Sequence, residues 1–246
     1  MSAVLVIGGS DSSGGAGLVR DVATLTELGT QALCAVTAVT AQTDAAVLGV
    51  YPLPPPLVRE QIVSALASGR VRAIKIGMLA TGDTVRAVTD GIAAHAALPV
   101  VLDPVLAASS GGELLDAAGR SALCAVLLPR ATLLTPNIPE AAALLGTPCA
   151  RTEAELLEQA HSLLALGPQG VLLKGGHWQG AEAIDLLLLR DEPLQRLSVR
   201  RSAHVLRGTG CALATAIAAG LAGGLALPQA CAYGKRYVTG MLHRAA

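Results

Sequence analysis

AVLVIGGSDSSGGAGLVRDVATLTELG, residues 3–29, contains the pattern of the whole chain in one unit. An apolar run without alternation meets a loop of Ser, Asp and Gly, and a helical stretch, RDVATLTELG, follows. An unbroken apolar run that ends in glycine marks a strand covered on both faces, as in a parallel sheet. Runs of this kind recur as ALCAVTAVT (32–40), AIKIGML (73–79), PVVLDPV (99–105), ATLLTPN (131–137) and GVLLKGG (170–176). Between them lie PLVREQIVSALAS, DTVRAVTDGIAAHA, IPEAAALLG and TEAELLEQAHSLLALG, all with helical spacing. The alternation predicts a three-layer α/β/α fold with a mostly parallel central sheet. Near residue 184 the rhythm changes. AIDLLLLRDEPLQRLSVRR reads as two strands joined at Asp191-Glu192-Pro193, an antiparallel pair on one edge. An Ala-rich helix running to about Leu225 and a last helix, PQACAYGKRYVTGMLHR, follow. PLPPP at 52–56 is a stiff lead-in to a helix rather than a boundary. With no repeat and no linker, residues 1–246 read as a single domain.

The chain has 246 residues, 52% hydrophobic and 15% charged, with a formal net charge of zero. That size holds a core without disulfides or metals. No basic stripe is present, which argues against nucleic acid as a partner. No run of the length needed to span a bilayer is free of charge or of Gly and Pro, so no membrane partner is expected. The N-terminus lacks the basic region of a signal peptide, so the expected location is the cytoplasm. The five cysteines are odd in number and form no C-x-x-C, which argues against a disulfide framework and against structural zinc. Of the 18 basic residues, 15 are Arg, and the three Lys are Lys75, Lys174 and Lys235. A lysine kept against that bias fits a need for a compact point charge. Three leftover surface lysines is the competing reading.

In doubly wound sheets ligands sit at the carboxyl ends of the strands. Asp11, Asp103, Asn137, Lys174 and His177 fall there. The first glycine loop is neither a Walker A sequence, since no Lys-Ser/Thr follows it, nor G-x-G-x-x-G in register. A tight turn that packs helix on sheet explains it equally well. The second loop, Gly208-Thr209-Gly210 before Cys211, is more informative. Two glycines ahead of a helix allow a nest of N–H groups, an anion hole without a cationic side chain. Cys211 in the first helical turn is expected to have a lowered thiol pKa and to be a candidate base or nucleophile. The alternative is a small residue that lets the helix pack. At Asn137-Ile138-Pro139-Glu140 a strand ends and a helix starts. Glu140 is good capping there, which is a strong reading by itself; its functional reading is a hold on Mg²⁺ through water.

Taken in order, GGSDSSGGAG, KIGML, VLDPV, LLTPNIPEA, VLLKGGH and GTGC resemble the ribokinase-like superfamily, from about Val4 to Lys235. The most similar branch is the hydroxymethylpyrimidine/phosphomethylpyrimidine kinases of thiamin biosynthesis. The resemblance implies a doubly wound fold, a homodimer, and transfer of the ATP γ-phosphoryl to 4-amino-5-hydroxymethyl-2-methylpyrimidine. The monophosphate is then carried to the diphosphate at the same site, with Mg²⁺. By the same resemblance Cys211 is the base and Gly208, Thr209 and Gly210 form the anion hole. Lys174 neutralises the moving phosphoryl group. Asp21, Gln42, Met78 and Gly9 bind the pyrimidine. Asp103, Asn137 and Glu140 make the phosphate and metal surroundings, and Lys235 lies by the nucleotide. Two positions depart from the branch: Arg207 stands where it carries His before Gly-Thr-Gly-Cys, and Val19-Arg20 replaces Gln-Ala. Arg207 is expected either to add charge beside the anion hole or to point to solvent. A pyridoxal or pyridoxine kinase of the same superfamily, and a pyrimidine-binding protein with little turnover, are the alternatives.

Overall fold

The computed structural model describes residues 2–108, 111–175, 181–202, 204 and 206–244. The first half runs β1 (Ala3–Asp11), α1 (Gly17–Glu27), β2 (Gln31–Gln42), β3 (Val47–Pro52), α2 (Pro55–Ala67), β4 (Val71–Ile76), α3 (Gly82–Ile92) and β5 (Val100–Leu102). The second runs α4 (Ala117–Ala122), β6 (Leu133–Leu134), α5 (Ile138–Leu145), α6 (Glu153–Ala165), β7 (Gly170–Lys174), β8 (Glu182–Leu189), β9 (Gln195–Arg200), α7 (Thr209–Ala222) and α8 (Leu227–Arg244). The strands form one sheet in the order β3-β2-β1-β4-β5-β6-β7-β8-β9. From β2 to β7 all neighbours are parallel. β8 and β9 form the expected antiparallel edge. β3, antiparallel to β2, makes a second such edge that the apolar runs did not announce.

The continuous apolar runs are explained by two cores, one on each face of the sheet. Leu5, Ile7, Ile74, Ile76, Leu102 and Leu173 point to the layer that holds α2, α3, α5 and α6. Val4, Val6, Ala73, Val101, Leu133 and Leu172 point to α1, α7 and α8. Helix α7 is buried at every position from Ala212 to Gly220. Its alanines let it lie close between α1, α8 and the sheet, as a helix apolar all round must. Lys75, on the same face of β4, is only 1% exposed and is the largest fully buried side chain.

The chain leaves β1 to one side through β2 and β3, then returns to the other side with β4. The crevice between the carboxyl ends of β1 and β4 is therefore the switch point where such sheets bind ligands. On the far side of β1, its register against β2 shifts between Gly8 and Ser10.

Candidate active site

Two glycine loops meet above this crevice. The first follows β1 and is folded by Asp11, which is 5% exposed. Its carboxylate accepts the N–H and hydroxyl of Ser13 at 2.9 and 2.8 Å and the N–H of Ala16 at 3.0 Å. Gly17 then starts α1 at φ 58°, where a Cβ would lie 2.3 Å from the carbonyl oxygen of Gly9. The second loop caps α7 at Gly208, with φ 74°, where a Cβ would lie 2.4 Å from the carbonyl oxygen of Gly15. Backbone lies on backbone at both places, and only glycine allows it. The Gly17 N–H lies near enough to the Cys211 sulfur to favour its thiolate, so the thiol sits where the loops join.

A charged cluster faces the start of α7. Lys174, the last residue of β7, places its ammonium 2.9 Å from Asp103 Oδ1 and 3.8 Å from Glu140 Oε2. The same ammonium lies 3.3 Å from the point a Cβ on Gly210 would occupy, which seats the cation against the anion hole. Burial pulls the lysine pKa down, but Asp103 and Glu140 outweigh it and leave Lys174 held charged. Asn137 and Glu140 close a full capping box on α5. Asn137 Oδ1 accepts the N–H of Glu140 at 2.8 Å, and Glu140 Oε2 accepts that of Asn137 at 2.7 Å. Burial and the nearby Asp103 push the Glu140 carboxyl up to about 7, against the pull of Lys174. Among the described residues Asp103 Oδ2 and Glu140 Oε1 accept no hydrogen bond, so each carboxylate keeps one oxygen for a cation. Two carboxylates suit Mg²⁺, which keeps much of its hydration. No group of three or more His, Cys, Asp or Glu that could hold a metal by protein ligands alone occurs among the described residues.

Three expectations need correction. The Cys211 thiol is not lowered: burial pushes it up to about 11, outweighing Lys75 and the Gly17 N–H, and Asp21 and Asp103 raise it further. Asp21 does not line the pocket. It is fully buried on α1, taking the Lys75 ammonium on one oxygen and the Thr215 hydroxyl on the other, each at 2.7 Å. Arg207 does not point to solvent, its side chain being 20% exposed. Its guanidinium reaches back to Asp11, Ser13 and Asp44.

The remaining placements are mixed. Met78 is buried with Ala38, Ala80 and Leu114, and its sulfur packs on Gly9, so those two meet at the crevice wall. The backbone carbonyl of Met78 is fixed by the buried hydroxyl of Thr37 at 2.7 Å. Gln42, half-buried, ends β2, and its backbone is tied to Ser12 Oγ. Lys235 on α8 is spent on Asp185 at 2.6 Å, and the other oxygen of Asp185 holds the N–H of Gly175. His177 lies outside the described residues. Lys75 and Thr215 were given no site role by sequence. The rarity of lysine was the signal for the first; none pointed to the second.

The model of the family described as phosphomethylpyrimidine kinase matches residues 11–246. The chain belongs to the phosphomethylpyrimidine kinase family. It is 43% identical to a hydroxymethylpyrimidine/phosphomethylpyrimidine kinase of Salmonella typhimurium, over 87% of this chain and 81% of that one. A Streptomyces coelicolor protein of the same description is 41% identical over 97% of this chain and 88% of its own. Among solved structures, a phosphomethylpyrimidine kinase from Clostridium difficile superposes with a TM-score of 0.85 at 32% identity, covering 98% of this chain and 99% of that one. A pyridoxal kinase from Staphylococcus aureus in complex with pyridoxal superposes with a TM-score of 0.89 at 30% identity, covering 99% of this chain and 88% of its own. The family is one of phosphotransferases, and the ribokinase-like three-layer sheet expected from the sequence is the one the chain forms.

Proposed function

We propose that this chain, as one domain over residues 1–246, transfers the γ-phosphoryl group of ATP to the hydroxymethyl oxygen of 4-amino-5-hydroxymethyl-2-methylpyrimidine. It then phosphorylates the monophosphate to the diphosphate. The observation that carries the reading is the meeting of Cys211, the Gly208–Gly210 amides and the Lys174 ammonium at one helix N-terminus. Phosphoryl transfer needs positioning and charge neutralisation more than covalent help. The α7 N-terminus and Lys174 supply both, with donors already fixed before the charge develops. Asp103 and Glu140, through water, are the residues that would hold Mg²⁺, whose charge would offset that of the phosphate oxygens. Gly9, Met78 and Gln42 form the acceptor side.

In the first step the hydroxymethyl oxygen bonds to γ-phosphorus as the bond to ADP breaks, and its proton passes to the Cys211 sulfur. With a thiol pKa near 11, little thiolate exists at neutral pH, so this step should quicken as pH rises. In the second step the nucleophile is a phosphate oxygen, whose second pKa of about 6 leaves it without a proton at pH 8. A base is then unnecessary. Product-resolved turnover of Cys211→Ala tests this directly. The first step should fall by roughly 10²- to 10⁴-fold and the second by far less, with pyrimidine binding kept. Equal loss of both steps, or loss of neither, contradicts the assignment of Cys211 as the base.

No described helix is long and apolar enough to cross a membrane. A cytoplasmic place of action accords with the reaction, whose substrates are small and polar. A homodimer is supported by the edge at β3. Leu48 and Tyr51 are 73% and 64% exposed there, and Val39 on β2 and Leu57 and Val63 on α2 are exposed as well. An open edge strand with such exposure calls for cover. Sedimentation should give twice the mass of one chain, and Tyr51→Lys should shift it towards one. A wild type that sediments as a single chain overturns the dimer.

A further inference from the structure

We propose that Arg207 is a positioning residue for the acceptor pocket: its guanidinium clamps the tip of the β2–β3 hairpin onto the first glycine loop and so fixes Gln42. This rests on the reading of that crevice as the pyrimidine site. Two segments far from it in sequence, residues 11–13 and 43–44, converge on this one side chain. One nitrogen, Nη1, donates to Ser13 Oγ at 2.9 Å, to the carbonyl of Thr43 at 3.3 Å and to Asp44 Oδ1 at 2.7 Å. The other, Nη2, lies 3.3 Å from Asp11 Oδ2, the oxygen that also caps Ala16. The planar fork reaches both carboxylates at once, which a lysine ammonium does less well. Gly15 makes room for it, since a Cβ there would lie 3.1 Å from Nη1.

Gln42 sits at the hinge of this clamp. Its backbone is bound to Ser12 Oγ through both N–H and carbonyl, and the next two residues, Thr43 and Asp44, are the ones Arg207 holds. The same side chain leads directly into Gly208. The loop that opens the anion hole and the hairpin that bears Gln42 are therefore set relative to each other by one residue. The two arms differ in character. Asp11 is 5% exposed and Asp44 is 87% exposed at its side chain, so salt weakens the Asp44 arm first.

Hydrogen exchange of residues 42–47, read without acceptor in the full chain, tests the clamp beside the KM for pyrimidine and for ATP. In Arg207→Ala the turn should exchange at least about tenfold faster, and the pyrimidine KM should rise about tenfold while kcat and the ATP KM change less. Asp44→Asn should give a smaller rise and abolish the salt dependence of that KM. The double variant should be no worse than Arg207→Ala alone. Unchanged exchange in a folded Arg207→Ala protein, or fully additive effects in the double variant, overturns the proposal. If Arg207→Ala does not fold, Arg207→Lys and Asp44→Asn carry the same comparison. A wild type inactive on the pyrimidine defeats the functional reading, while exchange still decides whether the clamp exists.

Discussion

Glu140 works in two directions at once. Its Oε2 completes the capping box on α5 and also lies in the field of Lys174, while burial holds the carboxyl near 7 against an ordinary value of 4.5. The sign of the consequence follows from proton linkage. Between pH 4.5 and 7 the folded chain keeps a proton that the unfolded chain has released, so this residue makes stability fall as pH rises through that window. Glu140→Gln keeps an acceptor for Asn137 and removes the titration. Measured with a chelator present, the Tm of the variant minus that of the wild type should be more positive at pH 8 than at pH 4.5. A constant difference contradicts the raised carboxyl. Cys211 shows the same competition with the opposite outcome from its sequence context. The first turn of a helix lowers a thiol pKa, yet here burial beneath the joined loops dominates. A motif of four residues does not reveal a carboxylate such as Asp21, nearly 200 positions away, whose charge raises the thiol further.

At the scale of elements, the pair of Lys75 on β4 and Asp21 on α1, with Thr215 on α7, ties the sheet to the two helices that carry the glycine loops. Thr215 stands one turn beyond Cys211 on α7, so the knot lies directly under the first turn. Burial works against the lysine's charge, but the Asp21 carboxylate more than restores it. Lys75→Met leaves a buried carboxylate without its cation, which should cost about 3–5 kcal/mol in denaturant unfolding. The added change Asp21→Asn should recover part of that loss; a single variant as stable as the wild type contradicts the account. The strands were legible where they are covered on both faces: GVLLKGG contains β7 and AIKIGML covers the last four residues of β4. β3 was missed because VLGVYP is half exposed and sits against a proline run that reads as a lead-in to α2. The run ATLLTPN yields only Leu133–Leu134 as strand, since Pro136 cannot donate to a ladder and Asn137 turns to cap α5. Of the site, the positions at strand ends were legible because topology puts them at one edge. Partners such as Arg207 and Asp44 were not, because their contact joins opposite ends of the chain.

Over the whole molecule, the sheet order gathers Gly9, Met78, Asp103, Glu140, Lys174 and Cys211 at one rim, while Asp21 and Lys235 are spent on holding helices to the sheet. The fold alone leaves the acceptor open, since structures named for phosphomethylpyrimidine and for pyridoxal both superpose closely on this chain. Residues matching 11–246 to the phosphomethylpyrimidine kinase family favour the pyrimidine. The most direct measurement is ADP release from Mg²⁺-ATP with 4-amino-5-hydroxymethyl-2-methylpyrimidine, its monophosphate and pyridoxal in parallel, with product masses read alongside. The expected result is turnover of the pyrimidine through to the diphosphate, with pyridoxal used poorly. Turnover of pyridoxal alone, or of none of the three by folded protein, would contradict the account.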